Sequence, residues 1–138
     1  MIVVKLIGAL GNQMFQYATG KRLADKNGTD LKFDLSSFQS DGPDTKRFFS
    51  LNVLQIKKEI ASTSEIEKLK GQKGTYLERV IRSRFPAIIP KNKHYYFEES
   101  SLKFYPEVLQ LSDNTYLEGF WQYLRYFSDI ESTIRNEF

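Results

Sequence analysis

Apolar and polar positions change their spacing several times along this chain, and each change marks an element. Residues 1–7 are almost continuously apolar and rich in Val and Ile, broken only by Lys5. Such a run suits a strand buried on both faces, as in a parallel sheet. Gly8-Ala9-Leu10-Gly11-Asn12 follows as a tight, glycine-bearing turn. Over residues 13–26 the spacing becomes helical: Met14, Tyr17, Ala18 and Ala24 can share a face, with the stem of Lys21 laid alongside. Asn27-Gly28 is the expected stop, because glycine readily takes the left-handed conformation just past a helix. Leu31, Phe33 and Leu35 then alternate with Lys32 and Asp34, as in a second strand. Strand, turn, helix and strand make a βαβ unit, whose crossover is expected to be right-handed.

The pattern is less regular after that. Residues 39–45 are polar around Gly42-Pro43 and read as a surface loop, and Phe48, Leu51, Val53 and Ile56 as a short irregular or extended piece under the sheet. Ser62 and Glu65 have capping-box spacing and open a short helix that ends in the glycines at 71 and 74. Residues 77–85 suggest a basic helix stopped by Pro86, and residues 87–89 an extended link between Pro86 and Pro90. Residues 95–97 and Tyr116-Leu117 read as strands, the second ending at Glu118-Gly119. Ser128 and Glu131 form a second capping-box pair ahead of Ile130, Ile134 and Phe138, which repeat on one helical face. No glycine, proline or polar tail stops that helix, so the chain is expected to be part of a longer protein.

Composition narrows the class. The 138 residues fit one domain, and 41% hydrophobic residues can build a core. Aromatic residues concentrate in the last third, which argues against a solvated tail there. The net charge of +3 is spread among mixed acids and bases, so no basic stripe marks a nucleic-acid binder. Arg79, Arg82, Arg84, Lys91 and Lys93 are the local exception; a solvated helix face explains them, and a peripheral membrane contact is the further expectation they allow. Without cysteine there is no disulfide, thiolate metal site or cysteine nucleophile. The opening apolar run is too short to span a bilayer and lacks the flanks of a signal peptide, so a cytoplasmic location is expected.

The chemistry concentrates at the Gly-Asn turn. Where a buried strand hands over to a helix, the first helical N–H groups lack partners and carry partial positive charge, which favours an anion. Gly8 and Gly11 allow close backbone approach, and Asn12 adds side-chain donors and an acceptor. The same pattern also makes an ordinary turn with Asn as a cap. It is not the nicotinamide fingerprint: Ala9 and Leu10 follow Gly8, and the third glycine position falls on Gln13, although Asp34 stands about where the ribose-binding acid would be. His94, the single histidine, is expected to serve surface or packing roles. Trp121 and Tyr123 could stack on a sugar, but their residue type more often anchors a core. Glu118 and Asp129 are acids near this region, Asp129 in the expected first turn of the last helix, and neither is singled out as a catalytic base.

The segment Gly8-Ala9-Leu10-Gly11-Asn12-Gln13-Met14-Phe15-Gln16-Tyr17-Ala18 strongly resembles the opening of the α-1,2-fucosyltransferases, glycosyltransferase family 11, whose pattern is Gly-Gly-Leu-Gly-Asn-Gln-Met-Phe-Gln-Tyr-Ala. A second match lies at Gly119-Phe120-Trp121-Gln122 followed by Tyr126-Phe127, and a looser one over Arg47-Phe48-Phe49-Ser50-Leu51. The resemblance implies an α/β, Rossmann-like N-terminal domain of a GT-B glycosyltransferase with a mostly parallel sheet, spanning residues 1–138. It implies GDP-fucose as donor, the 2-hydroxyl of a galactose-containing glycan as acceptor, and an inverting reaction with neither metal nor cofactor. By the same resemblance Gly8, Gly11, Asn12 and Gln13 bind the donor, and Trp121 and Gln122 contact the acceptor. Ala9 departs from the family's second glycine, a costly change if that position needs positive φ. The family's His-x-Arg-Arg-x-Asp motif, expected to neutralise the leaving GDP, is absent from these residues, so a further GDP-sugar-binding part is expected beyond them. The competing readings are a folded remnant or glycan-binding domain without catalysis, and a generic nucleotide-binding domain.

Overall fold

The computed structural model describes residues 1–38, 47–70, 94–97 and 103–138. The loop expected at 39–45, the basic helix at 77–85 with Lys91 and Lys93, and the link at 87–89 lie outside the described residues. Among the described residues four strands form one sheet: β1 (Ile2–Lys5), β2 (Leu31–Asp34), β3 (Tyr95–Phe97) and β4 (Thr115–Glu118), in the order β2-β1-β4-β3. Every pairing is parallel, so the carboxyl ends of all four strands open on one edge. Helix α1 (Leu10–Asn27) joins β1 to β2, α2 (Thr63–Lys70) follows β2, and α3 (Glu131–Glu137) follows β4. This is the expected α/β, Rossmann-like architecture.

The sheet carries helices on both faces. On one, Ile2, Val4, Leu6, Phe33 and Leu117 meet Tyr17, Ala18 and Leu23 of α1, Ile134 of α3, and Trp121 and Tyr126. On the other, Val3 and Tyr116 pack against Ala61 and Leu69. Burial from both sides explains why β1 has no polar alternation until Lys5. The first turn of α1 begins at Leu10, ahead of the start its apolar spacing suggests. Gly8 turns the chain at φ 76°, and Ala9 is extended and already serves as the N-cap. Leu10 is exposed there, while the buried side of the helix carries Gln13, Gln16 and Thr19, so hydrophobic spacing is a poor guide to its start. At the other end Gly28 takes the left-handed conformation as expected, and Thr29 N–H closes on the Ala24 carbonyl at 3.0 Å.

The first capping box forms. Ser62 N–H donates to Glu65 Oε2 at 2.8 Å and Glu65 N–H to Ser62 Oγ at 3.3 Å. Lys32 Nζ reaches the same carboxylate at 2.5 Å, and that bond, reinforced by Ser62, pushes the Glu65 pKa down to about 2. The second capping box does not form. Residues Ser128–Ile130 make a 3₁₀ turn, α3 starts only at Glu131 with no side-chain cap, and Glu131 pairs with Arg135 at 2.7 Å. Asp129 lies in that turn, where Arg22 Nε donates to it at 3.0 Å. Of the irregular piece, Leu51 and Ile56 are buried while Phe48 and Val53 face solvent. The edge of β2 is covered by a feature that sequence spacing does not announce. Phe33 N–H donates to the Glu59 carbonyl at 2.8 Å, and Ala61 N–H to the Phe33 carbonyl at 2.9 Å. Among the described residues no helix is long and apolar enough to cross a membrane.

Asp34 ends β2 as a buried carboxylate rather than as an open ribose acceptor. Tyr116 Oη donates to its Oδ2 at 2.5 Å and Ser36 N–H to its Oδ1 at 2.8 Å. Burial alone would raise its pKa, but the bonds from Tyr116 and Ser36, with the charge of Lys70, outweigh it and hold the group below the usual aspartate value. With the folded pKa depressed, the unfolded chain binds the proton more tightly. The stabilisation is therefore complete above the unfolded pKa and is lost as pH falls through the folded one. Tyr116→Phe is expected to lower the unfolding free energy at neutral pH by about 1–3 kcal/mol and to narrow the gap between stabilities at neutral and strongly acidic pH. Urea denaturation at the two pH values measures both, and a gap equal to that of the parent protein would refute the assignment.

Candidate functional site

β1 and β4 pair in parallel, so the loops that leave their carboxyl ends emerge side by side. In open α/β sheets ligands bind outside these carboxyl ends. Gln16, fully buried on α1, ties the two loops together: Ile7 N–H donates to its Oε1 at 3.0 Å, and its Nε2 donates to the Gly119 carbonyl at 3.0 Å.

Gly8 suits this turn in its backbone, and an added side chain would have to displace that of Asn12. The φ of 76° at Gly8 favours glycine, and a Cβ there would overlap Nδ2 of Asn12, whose side chain folds back over it. Ala9, in contrast, has φ −85° and ψ 177°, ordinary extended geometry, so the departure from the family pattern carries no backbone strain. Gly11 is exposed, and the space where its Cβ would stand is open. The N-terminus of α1 has no side-chain cap and no acid in its first turn, so the amides of Leu10, Gly11 and Asn12 keep their partial positive charge at the surface.

The two sequence segments expected to bind donor and acceptor meet directly. Gln122 Nε2 donates to Asn12 Oδ1 at 2.7 Å across 110 residues of chain. The residue before it, Trp121, is fully buried and adopts φ 55°, which is unusual for a bulky side chain. That conformation sends the indole inward, edge-on to Tyr126 with ring centroids 5.7 Å apart, and leaves Gln122 exposed at the corner. Trp121 thus presents no surface to an acceptor sugar and is a core anchor.

Gln13, expected at the donor, is fully buried, and its amide is spent inside the protein. Nε2 donates to the carbonyls of Gly8 at 2.9 Å and Phe48 at 2.8 Å, and Oε1 accepts from Ser50 N–H at 2.8 Å. It pins residues 48–50 beside the turn and has no exposed atom for a ligand. The clamping roles of Gln13 and Gln16 are absent from the sequence reading. Gln13 and Gln16 fall on the inward side of α1 with Tyr17 and Ala18, and buried polar groups must be hydrogen-bonded.

The remaining candidates lie elsewhere. Glu118, at the end of β4, is held by Lys5 at 2.6 Å and Lys70 at 3.3 Å. His94 precedes β3 at the opposite, amino edge of the sheet, where its Nδ1 lies 2.8 Å from the Asn114 carbonyl. That packing role agrees with its expected one.

The fold is that of a Rossmann-like α/β domain whose first helix opens with uncapped amides beside the loop that follows β4. No family model matches the chain, and no solved structure matches it significantly. It is similar to an alpha-1,2-colitosyltransferase of Escherichia coli, with 27% identity over 140 residues. The alignment covers 100% of this chain and 44% of that protein, so the chain spans less than half the length of the relative. The likeness supports a relationship to the glycosyltransferases.

Proposed function

We propose that this chain forms one wall of the sugar-nucleotide site of a glycosyltransferase that moves L-fucose from GDP-fucose to the 2-hydroxyl of a galactoside, by an inverting, metal-independent displacement. The observation that carries the reading is the corner itself: uncapped amides at Leu10–Asn12, an exposed Gly11, and the carboxamide of Asn12 held over Gly8. Preorganised amides and a helix N-terminus favour charge that develops on a departing diphosphate. The α-1,2 linkage in the name of the relative agrees with this reading. The same name favours a second donor, GDP-colitose, because colitose is the 3-deoxy form of L-fucose. A pocket tolerant of either sugar would use the same diphosphate contacts.

The test uses the full-length protein with GDP-fucose or GDP-colitose and a galactoside acceptor. Asn12→Ala is expected to reduce transfer by about 100-fold, while the urea midpoint shifts by no more than about 0.5 kcal/mol equivalent, as for a surface substitution. Transfer unchanged in this variant would remove the corner from the reaction. Calorimetric binding of NAD tighter than of either GDP-sugar would replace the glycosyltransferase reading with a generic nucleotide-binding one.

A further inference from the structure

We infer that Gln122 is a positioning residue for Asn12 and makes no contact of its own with the acceptor; the inference rests on the sugar-nucleotide reading above. An asparagine amide can lie either way round, with its oxygen or its nitrogen toward a given point. Here the choice is made by a neighbour. Gln122 Nε2 donates to Asn12 Oδ1 at 2.7 Å, which commits the oxygen and turns Nδ2 onto Gly8. With the oxygen so committed, the nitrogen is the group of Asn12 that remains to donate to an oxygen of a diphosphate or sugar hydroxyl. With the amide reversed, a lone-pair oxygen would face the same anion.

The backbone supports this role. Trp121 holds a left-handed conformation that costs a non-glycine residue of the order of 1–2 kcal/mol, and strain of this kind persists where the surrounding structure over-determines it. Its buried indole and the bond from Tyr123 N–H to its carbonyl, 2.9 Å, supply that constraint. Gln16 supplies the other constraint by fixing Gly119 to the opening of α1. The direction in which Gln122 points is therefore set by the core, while the bond it makes is solvent-exposed and contributes little to stability. The buried indole accounts for the backbone conformation, and the surface bond that this conformation places at Gln122 orients Asn12.

The experiment measures GDP-fucose affinity by calorimetry, and KM for donor and for acceptor, in the full-length protein with Gln122→Ala, Gln122→Glu, Asn12→Ala and the double variant Asn12→Ala/Gln122→Ala. A glutamate at 122 only accepts, so it should reverse the Asn12 amide. Gln122→Glu is expected to weaken GDP-fucose at least ten-fold and more than Gln122→Ala does, with acceptor KM unchanged and urea midpoints unaltered. In the Asn12→Ala background the loss of Gln122 should have no further effect, because its partner is already gone. If Gln122→Ala raises only the acceptor KM, or adds its full loss to that of Asn12→Ala, Gln122 acts independently and the inference is overturned while the site stands. If Asn12→Ala leaves donor affinity intact, the sugar-nucleotide reading fails and this inference fails with it.

Discussion

Truncation of Trp121 to alanine is expected to remove about 3–5 kcal/mol of unfolding free energy, the usual cost of emptying a large buried aromatic site. The indole is fully buried in the core shared by α1, β4 and α3, and is the largest side chain so placed. Against a typical domain stability of about 5–15 kcal/mol, that loss is severe. Backbone geometry adds a sign that distinguishes this site from an ordinary core position. Glycine is normally about 1 kcal/mol worse than alanine within regular structure, but at φ 55° the alanine methyl is strained and glycine is not. Trp121→Gly is therefore expected to be at least as stable as Trp121→Ala. Urea denaturation of the two variants decides the matter, and a glycine variant clearly weaker than the alanine one would show that the left-handed conformation costs nothing here.

The second large effect is expected at Gln16. Leucine has a comparable volume but neither donor nor acceptor, so Gln16→Leu would leave Ile7 N–H and the buried Gly119 carbonyl without the partners they now have. Each such loss costs about 1–3 kcal/mol, giving roughly 2–6 kcal/mol for the pair. The functional consequence should exceed the stability loss. Gln16 registers the loop after β1 against the loop after β4, and the Asn12–Gln122 bond depends on that register. Denaturation should show the lower stability with an unchanged dependence on urea. Donor affinity, measured where the variant is still folded, should fall as well. Retained affinity in a folded Gln16→Leu protein would show that the loops keep their places without the clamp.

The readable part of this chain is its local conformation. The continuous apolar run of β1, the left-handed Gly28, the Ser62–Glu65 capping box and the strands at 95–97 and 115–118 all follow from side-chain size, spacing or backbone freedom within a few residues. The Gly-Asn turn was recognisable on the same grounds as the strand-to-helix turn that opens α1. Local spacing misled where two local solutions compete. Ser128 and Glu131 have the right separation for a cap, yet a 3₁₀ turn occupies those residues and Glu131 pairs forward with Arg135. The start of α1 was misjudged because its first turn faces solvent and its buried side is partly amide.

Residue types and intervals along the chain were enough to establish the α/β class, the opening βαβ unit and the glycine turn that begins its helix. Which groups stay available at that turn was settled by packing alone. Gln13 and Gln16 turn inward as clamps, Trp121 becomes an anchor, and Gln122 reaches Asn12, through contacts that span up to 110 residues. Such contacts exist only once β4 lies beside β1. No short-range periodicity carries that information, because strand order emerges when separate apolar faces are buried together.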